Sequence, residues 1–186
     1  DFTQSVEEAK QQYKSDRLPQ DPKTKRKEPL LTFQRGAVVH FALSDSEIYM
    51  TTKLAGENTF FLPFNKGNHG RAGNASRADG EYPVAYFWEE ITQYDTWLRI
   101  FHSFVFLEKK EKQNKLGQSI TEETLIFPRY HQFEAVTRMI DDARHNGPGH
   151  QYLCEHSAGS GKTKTIAWMA HNLIKLRYDD GQPYFH

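Results

Sequence analysis

Gly159, Ser160, Gly161, Lys162 and Thr163, inside the stretch HSAGSGKTKTIAW at 156–168, are residues of the types and spacing that grip phosphate. Glycines there permit positive φ and let backbone N–H groups approach phosphate oxygens with no Cβ between. A helix predicted from Lys162 adds the partial positive charge of its N-terminus. The Lys162 ammonium would reach the β- and γ-phosphates of a nucleotide, and the Thr163 hydroxyl would hold Mg²⁺. The strict pattern G-x-x-x-x-G-K-[ST] asks for glycine at position 156, where His156 stands. The close-approach positions Gly159 and Gly161 are kept, so His156 reads as a flanking residue. The pattern predicts ATP with Mg²⁺ as ligand; the plainer alternative is a glycine turn before a helix that binds nothing.

A second candidate, Gln132, precedes Lys162 by 30 residues. A glutamine amide donates to one adenine edge atom while accepting from the exocyclic amine, so it reads adenine over guanine. Taken alone, Gln132 reads first as a helix-surface residue; its place upstream of the phosphate loop sets the ligand-reading role level with that one.

The elements that must position these residues follow from periodicity. FPRYHQFEAVTRMIDDARHNGPG (127–149) predicts a helix with Phe133, Val136, Ile140 and Ala143 as its buried stripe, stopped by Gly147-Pro148-Gly149. QYLCEH (151–156) predicts a short buried strand, and Cys154 within it a buried thiol. The helix from Lys162 is expected to bury Ile166, Met169, Ala170, Leu173 and Ile174. Strand, glycine loop and helix together are the context a phosphate loop requires.

Further upstream, Ser5 and Glu8 fit a capping box for a helix with Val6, Ala9 and Tyr13 on one face. LPQDPKTKRKEPLL (18–31) reads as a connecting loop. AVVHFAL (37–43) and EIYMTT (47–52), joined by SDS, predict a hairpin, and TFFLPF (59–64) is a short segment after it. The glycine-rich stretch 65–83 is a long loop. Phe87, Ile91, Tyr94, Leu98, Phe101 and Val105 predict one amphipathic helix, a packing stripe that passes into an extended segment around SFVFLEKK. The polar, lysine-rich run 108–119 reads as a solvated linker. The division expected is therefore 1–107, a linker at 108–119, and 120–186.

Composition sets outer limits. The chain has 186 residues, 37% of them apolar, with 24 basic and 24 acidic side chains. No global charge draws it to nucleic acid, so such a partner needs a local basic patch. A single cysteine excludes an internal disulfide. No apolar run approaches the ~18 residues of a membrane span, and a soluble, cytoplasmic protein is expected.

FPRYHQFEAV followed by HSAGSGKTKTIAWMAHNL closely resembles the start of the motor in the restriction (R) subunit of type I restriction-modification enzymes. EPLLTFQRGAVVHFAL, YMTTKLAGENTFFLPFNKG and AYFWEEI are also similar to that subunit's amino-terminal region, so the resemblance spans essentially the whole chain in order. It implies an α/β fold: the rear part of a PD-(D/E)xK-type nuclease domain, then the first P-loop unit of a RecA-like superfamily 2 motor. It implies ATP-dependent translocation on duplex DNA coupled to endonucleolytic cleavage of unmodified DNA, in complex with methylation and specificity subunits. The family's glutamine motif falls on Gln132 and its Walker A motif on Gly159 through Thr163.

The nuclease centre carries over poorly. The family's acidic residues and Glu-x-Lys are expected upstream of Asp1, and its Gln-x-x-x-Tyr is met at Tyr13 but not at Ala9; Gln11 or Gln12 are the substitutes. The later motor motifs are expected beyond His186, so the chain reads as a fragment, itself inactive. Two alternatives stand beside this one: another superfamily 2 P-loop DNA helicase, and a non-enzymatic interaction domain with a vestigial loop.

Overall fold

The computed structural model describes residues 5–113, 117–178 and 180–184. It is a mixed α/β fold of small sheets and several helices. Helix α1 (Val6–Ser15) buries Val6, Ala9 and Tyr13, as their spacing predicts. Ser5 is its N-cap residue, but no side-chain cap bond forms, so the expected capping box is absent.

The predicted hairpin is present with tighter limits, β1 (His40–Leu43) against β2 (Ile48–Thr51), antiparallel with Leu43 opposite Ile48. Its turn closes through the Ser44 hydroxyl, which accepts from the N–H groups of Ser46 and Glu47. Strand β3 (Leu62–Pro63) adds to β2. Residues 65–83 contain no helix or strand, as expected of a loop.

The single helix expected from Phe87 to Val105 is two pieces, a π-helical turn at Phe87–Ile91 and α2 (Tyr94–Ser103). Gln93, extended at ψ 142, separates them and shifts the helical phase. Ile100 and Phe104 are therefore buried, whereas Tyr94 and Leu98, expected inside, are exposed.

The run read as a linker is a second correction. Strands β4 (Phe106–Gln113) and β5 (Ser119–Ile126) pair antiparallel along their full length. The register sets Lys109 opposite Glu123 and Lys110 opposite Glu122; Lys109 pairs with Glu123 at 2.8 Å, and Lys112 reaches Glu122 diagonally. Opposite charges facing each other favour pairing, so a composition that looks solvated is that of a hairpin wet on its outer surface. The tip, 114–116, lies outside the described residues.

Helix α3 (Tyr130–Asn146) buries Phe133, Val136, Ile140 and Ala143 as predicted, and ends at Gly147 with φ +78. Helix α4 (Lys162–Ile174) begins at the predicted residue but turns a different face inward. Thr165 and Trp168 are buried, whereas Ile166 and Ile174 are 69% and 63% exposed. The Trp168 indole sets this rotation: its N–H donates to the Phe104 carbonyl at 2.8 Å in a buried contact, and its ring packs on Phe104 and Phe106.

The segment 151–156 is not a buried strand. It is irregular, Leu153 is 85% exposed, and the Cys154 thiol is exposed too. Among the described residues no strand lies alongside it, so it has neither a ladder nor an apolar cover. One core cluster runs through residues on both sides of 108–119, from Ile48, Phe64, Tyr86 and Ile100 to Phe127, Tyr130, Val136 and Trp168. A smaller one joins α1 to Ala42 and Leu54. No helix among the described residues is long and apolar enough to cross a membrane.

Candidate functional site

Residues 157–161 make a tight turn into the N-terminus of α4. Gly159 and Gly161 have φ +74 and +86, values that only glycine adopts without strain, and Gly161 is the helix N-cap in the left-handed region. The backbone N–H groups of Gly161, Lys162 and Thr163 find no acceptor among the described residues. They are the donors a helix start leaves over. The Lys162 ammonium folds back over the turn and donates to the carbonyls of His156 at 2.8 Å and Ser157 at 3.1 Å. Cation and free amides thus converge at the turn, which is what an anion needs. Thr163 is exposed in the first turn of α4. Among the described residues no group of three or more His, Cys, Asp or Glu side chains could hold a metal ion. A cation at Thr163 would depend on the ligand it accompanies.

Gln132 is buried, not on the helix surface. Its amide nitrogen donates to the carbonyls of Ser160 at 3.2 Å and Gly161 at 3.1 Å, and its oxygen accepts from the Arg129 N–H at 2.9 Å. Both amide protons are therefore committed to the loop. The one capacity left is the second lone pair of the oxygen. By this triple attachment α3 fixes the loop and caps its own first turn.

His131, one residue before, adds a ring nitrogen 3.1 Å from the Ser160 carbonyl and meets the His156 ring edge to face at 4.8 Å. Burial pulls the His131 imidazole below its ordinary range, and the bond to Ser160 opposes this only partly. His156 thus stands beside the turn rather than within it.

A cavity of about 420 Å³ opens on the other side of Gln132. It shares Ser160 and Gly161 with the loop and is otherwise lined by Arg129, Phe127, Lys164 and Trp168, with Thr52 and Asn58 from the region of the small sheet. The Arg129 guanidinium is half-buried, and that burial lowers its pKa; no carboxylate pairs with it among the described residues. The Ser160 hydroxyl is buried with no hydrogen-bond partner among the described residues. Lys164 is held at the cavity edge by Glu108 of β4, 3.1 Å away. This arrangement offers a planar, partly polar ligand an apolar wall, one unpaired cation and one unspent hydroxyl.

Arg129 and His131 were legible in principle, because both lie within one turn of Gln132 in RYHQ. Thr52 and Asn58 carried no local signal, since only tertiary packing brings them near α3. Tyr13 is buried against His40 and Phe61, which is a packing position. Gln11 is exposed and Gln12 half-buried on the same helix. Arg177 lies past the end of α4, where its guanidinium donates to the Ile174 carbonyl at 2.6 Å. No protein-family model, curated protein or solved structure matches this chain.

Proposed function

We propose that this chain carries the ATP-binding start of a duplex-DNA-translocating motor, joined to a nuclease-type region, as in the R subunit of type I restriction-modification enzymes. The observation that carries the reading is the convergence at one turn of two left-handed glycines, the free N–H groups of Lys162 and Thr163, and the Lys162 ammonium. Turn and helix start supply the hydrogen-bond donors for the phosphate oxygens. Lys162 exchanges two loop carbonyls for a phosphate, a stronger charge-assisted partner. Thr163 presents its hydroxyl to the Mg²⁺ that accompanies ATP. The cavity at Arg129 has the volume of ordinary small-molecule sites and borders the same turn, so it takes the base. Gln132 then acts chiefly by holding the loop, with its oxygen as the one group left to meet an exocyclic amine.

Cleavage of unmodified DNA, and assembly with methylation and specificity subunits, belong to the same proposal and rest on the order of the resembling segments. The test is calorimetric titration of ATP·Mg²⁺ into the wild-type chain and Lys162→Ala. Loss of a charge-assisted contact of about 1.5–3 kcal/mol weakens binding roughly 10- to 150-fold. Equal affinities in two folded proteins would remove Lys162 from the site and sink the reading.

A further inference from the structure

Charge is segregated along this electrically neutral chain. Residues 14–35 carry seven basic side chains against three acidic ones, whereas residues 77–95 carry Arg77 against five acids. Within the basic stretch, 18–31 has the composition of a plain connecting loop, yet its structure is ordered by many bonds of its own. Gln20 and Lys27 form an antiparallel bridge, closed by Asp21 N–H to the Arg26 carbonyl at 2.9 Å and Glu28 N–H to the Pro19 carbonyl at 3.0 Å. Inside it the Asp21 carboxylate accepts from the N–H groups of Lys23 and Thr24, and the Gln20 amide donates to the Lys25 carbonyl at 2.6 Å.

The result is a small, self-braced loop with Lys23, Lys25, Arg26 and Lys27 at its tip. All four are exposed, and none has an ion-pair partner among the described residues. Six lysines elsewhere, Lys10, Lys66, Lys109, Lys110, Lys112 and Lys164, are paired with carboxylates; Lys14, Lys53, Lys162 and Lys175 are not so paired among the described residues but lie apart from one another in the sequence. Four unpaired like charges held together repel one another and gain most from a dense array of negative charge.

We infer that the loop 19–28 is a docking surface for the phosphate backbone of duplex DNA, with Lys23, Lys25, Arg26 and Lys27 as the contacting side chains. Choosing duplex DNA rests on the motor reading above. The surface itself rests on charge and exposure. Duplex DNA presents one charge per about 1.7 Å of axis and releases counterions for each phosphate neutralised, a source of affinity that needs no base-reading group. The tip side chains are Lys, Thr and Arg on a loop braced by backbone bonds, and all of them can donate to phosphate oxygens. Contacts of this kind hold a duplex without regard to sequence.

The experiment is fluorescence anisotropy of a short labelled duplex with the whole chain over a potassium chloride series. Wild type is compared with Lys23→Gln, Lys25→Gln, Arg26→Gln and Lys27→Gln combined, and with the three lysines changed to arginine. Each phosphate contact contributes about 0.9 to the slope of log affinity against log salt, so the neutralised form loses about 2–4 units of slope and the arginine form keeps its slope. An unchanged urea midpoint certifies the fold, because the loop's bracing groups, Gln20 and Asp21, are left in place.

An unchanged slope in the neutralised form overturns the inference. So does stronger, loop-dependent binding of poly-glutamate or of phosphatidylserine vesicles than of DNA, which would assign the loop to an acidic protein or a membrane. The ATP titration keeps the two proposals separable. Normal ATP binding with an unchanged DNA slope defeats the docking surface alone. Absent ATP binding with a loop-dependent DNA slope defeats the motor reading alone.

Discussion

Gln132 and Gly161 touch so closely that neither can change without the other. The Gln132 amide nitrogen donates to the Gly161 carbonyl at 3.1 Å, and a Cβ built on Gly161 would stand 2.5 Å from that same nitrogen. Helix α3 and the turn before α4 are in this sense one unit. Whatever the turn binds is held by a side chain that comes from a different helix.

Gly161→Ala is therefore expected to disturb the site twice. The new Cβ must displace an amide anchored by three hydrogen bonds, and φ +86 costs an L-residue roughly 1–2 kcal/mol. Gly159→Ala meets the φ penalty alone, because nothing lies within 4 Å of its Cβ position. Urea denaturation should rank Gly161→Ala clearly below Gly159→Ala in stability. Equal midpoints would show that the Gln132 contact does not constrain the turn.

Gln132→Glu tests the clamp by chemistry and not by size. The amide protons now shared between Ser160 and Gly161 would be replaced by a carboxylate oxygen facing two carbonyls. Leaving buried acceptors unsatisfied costs about 1–3 kcal/mol, more where a charge is involved. The expected outcome is a lower urea midpoint together with weaker ATP binding. A variant as stable as wild type would mean that the amide bonds add nothing to the fold.

Helix α4 supplies a test of which face is inside. Ile166→Lys should change stability by no more than about 0.5 kcal/mol, because the side chain is 69% exposed. Ile140→Ala on α3, at 6% exposure, should cost about 2–5 kcal/mol. Chemical denaturation of both settles it; a large loss for Ile166→Lys would return that residue to the core.

The pH dependence of stability has a definite sign. His40 is buried beside the Tyr13 ring, and burial lowers its pKa below the ordinary 6.5; His131 is lowered in the same way. A base depressed in the folded state binds fewer protons there than in the unfolded chain, so stability rises with pH across the gap. The contribution is complete above about pH 6.5 and is lost as pH falls through the folded values. Urea midpoints measured from neutral pH down toward pH 5 should decline, and His40→Gln with His131→Gln should flatten the decline. The same slope in that double variant would assign it to other groups.

The chain's own residues determined a good part of this. The stripe of α3 was readable because Phe133, Val136, Ile140 and Ala143 repeat without interruption and one helix face is buried along its length. The hairpin β1–β2 was readable because Ser44 closes its turn locally, and the glycines before Lys162 because a left-handed turn has few other solutions. Tertiary structure decided what depends on a partner distant in sequence. Periodicity placed Ile166 and Ile174 inside α4, but the buried bond from Trp168 to Phe104, 64 residues earlier, turned the helix the other way. Lysines and glutamates around 108–119 read as solvent-seeking until their register across β4 and β5 set them opposite one another. Apolar residues at 151–156 predicted a strand, but a strand exists only beside another, and hydrophobicity alone cannot supply the ladder. Gln132 joins both levels: its residue type pointed to a ligand, and its burial against Gly161 gave its amide protons to the loop.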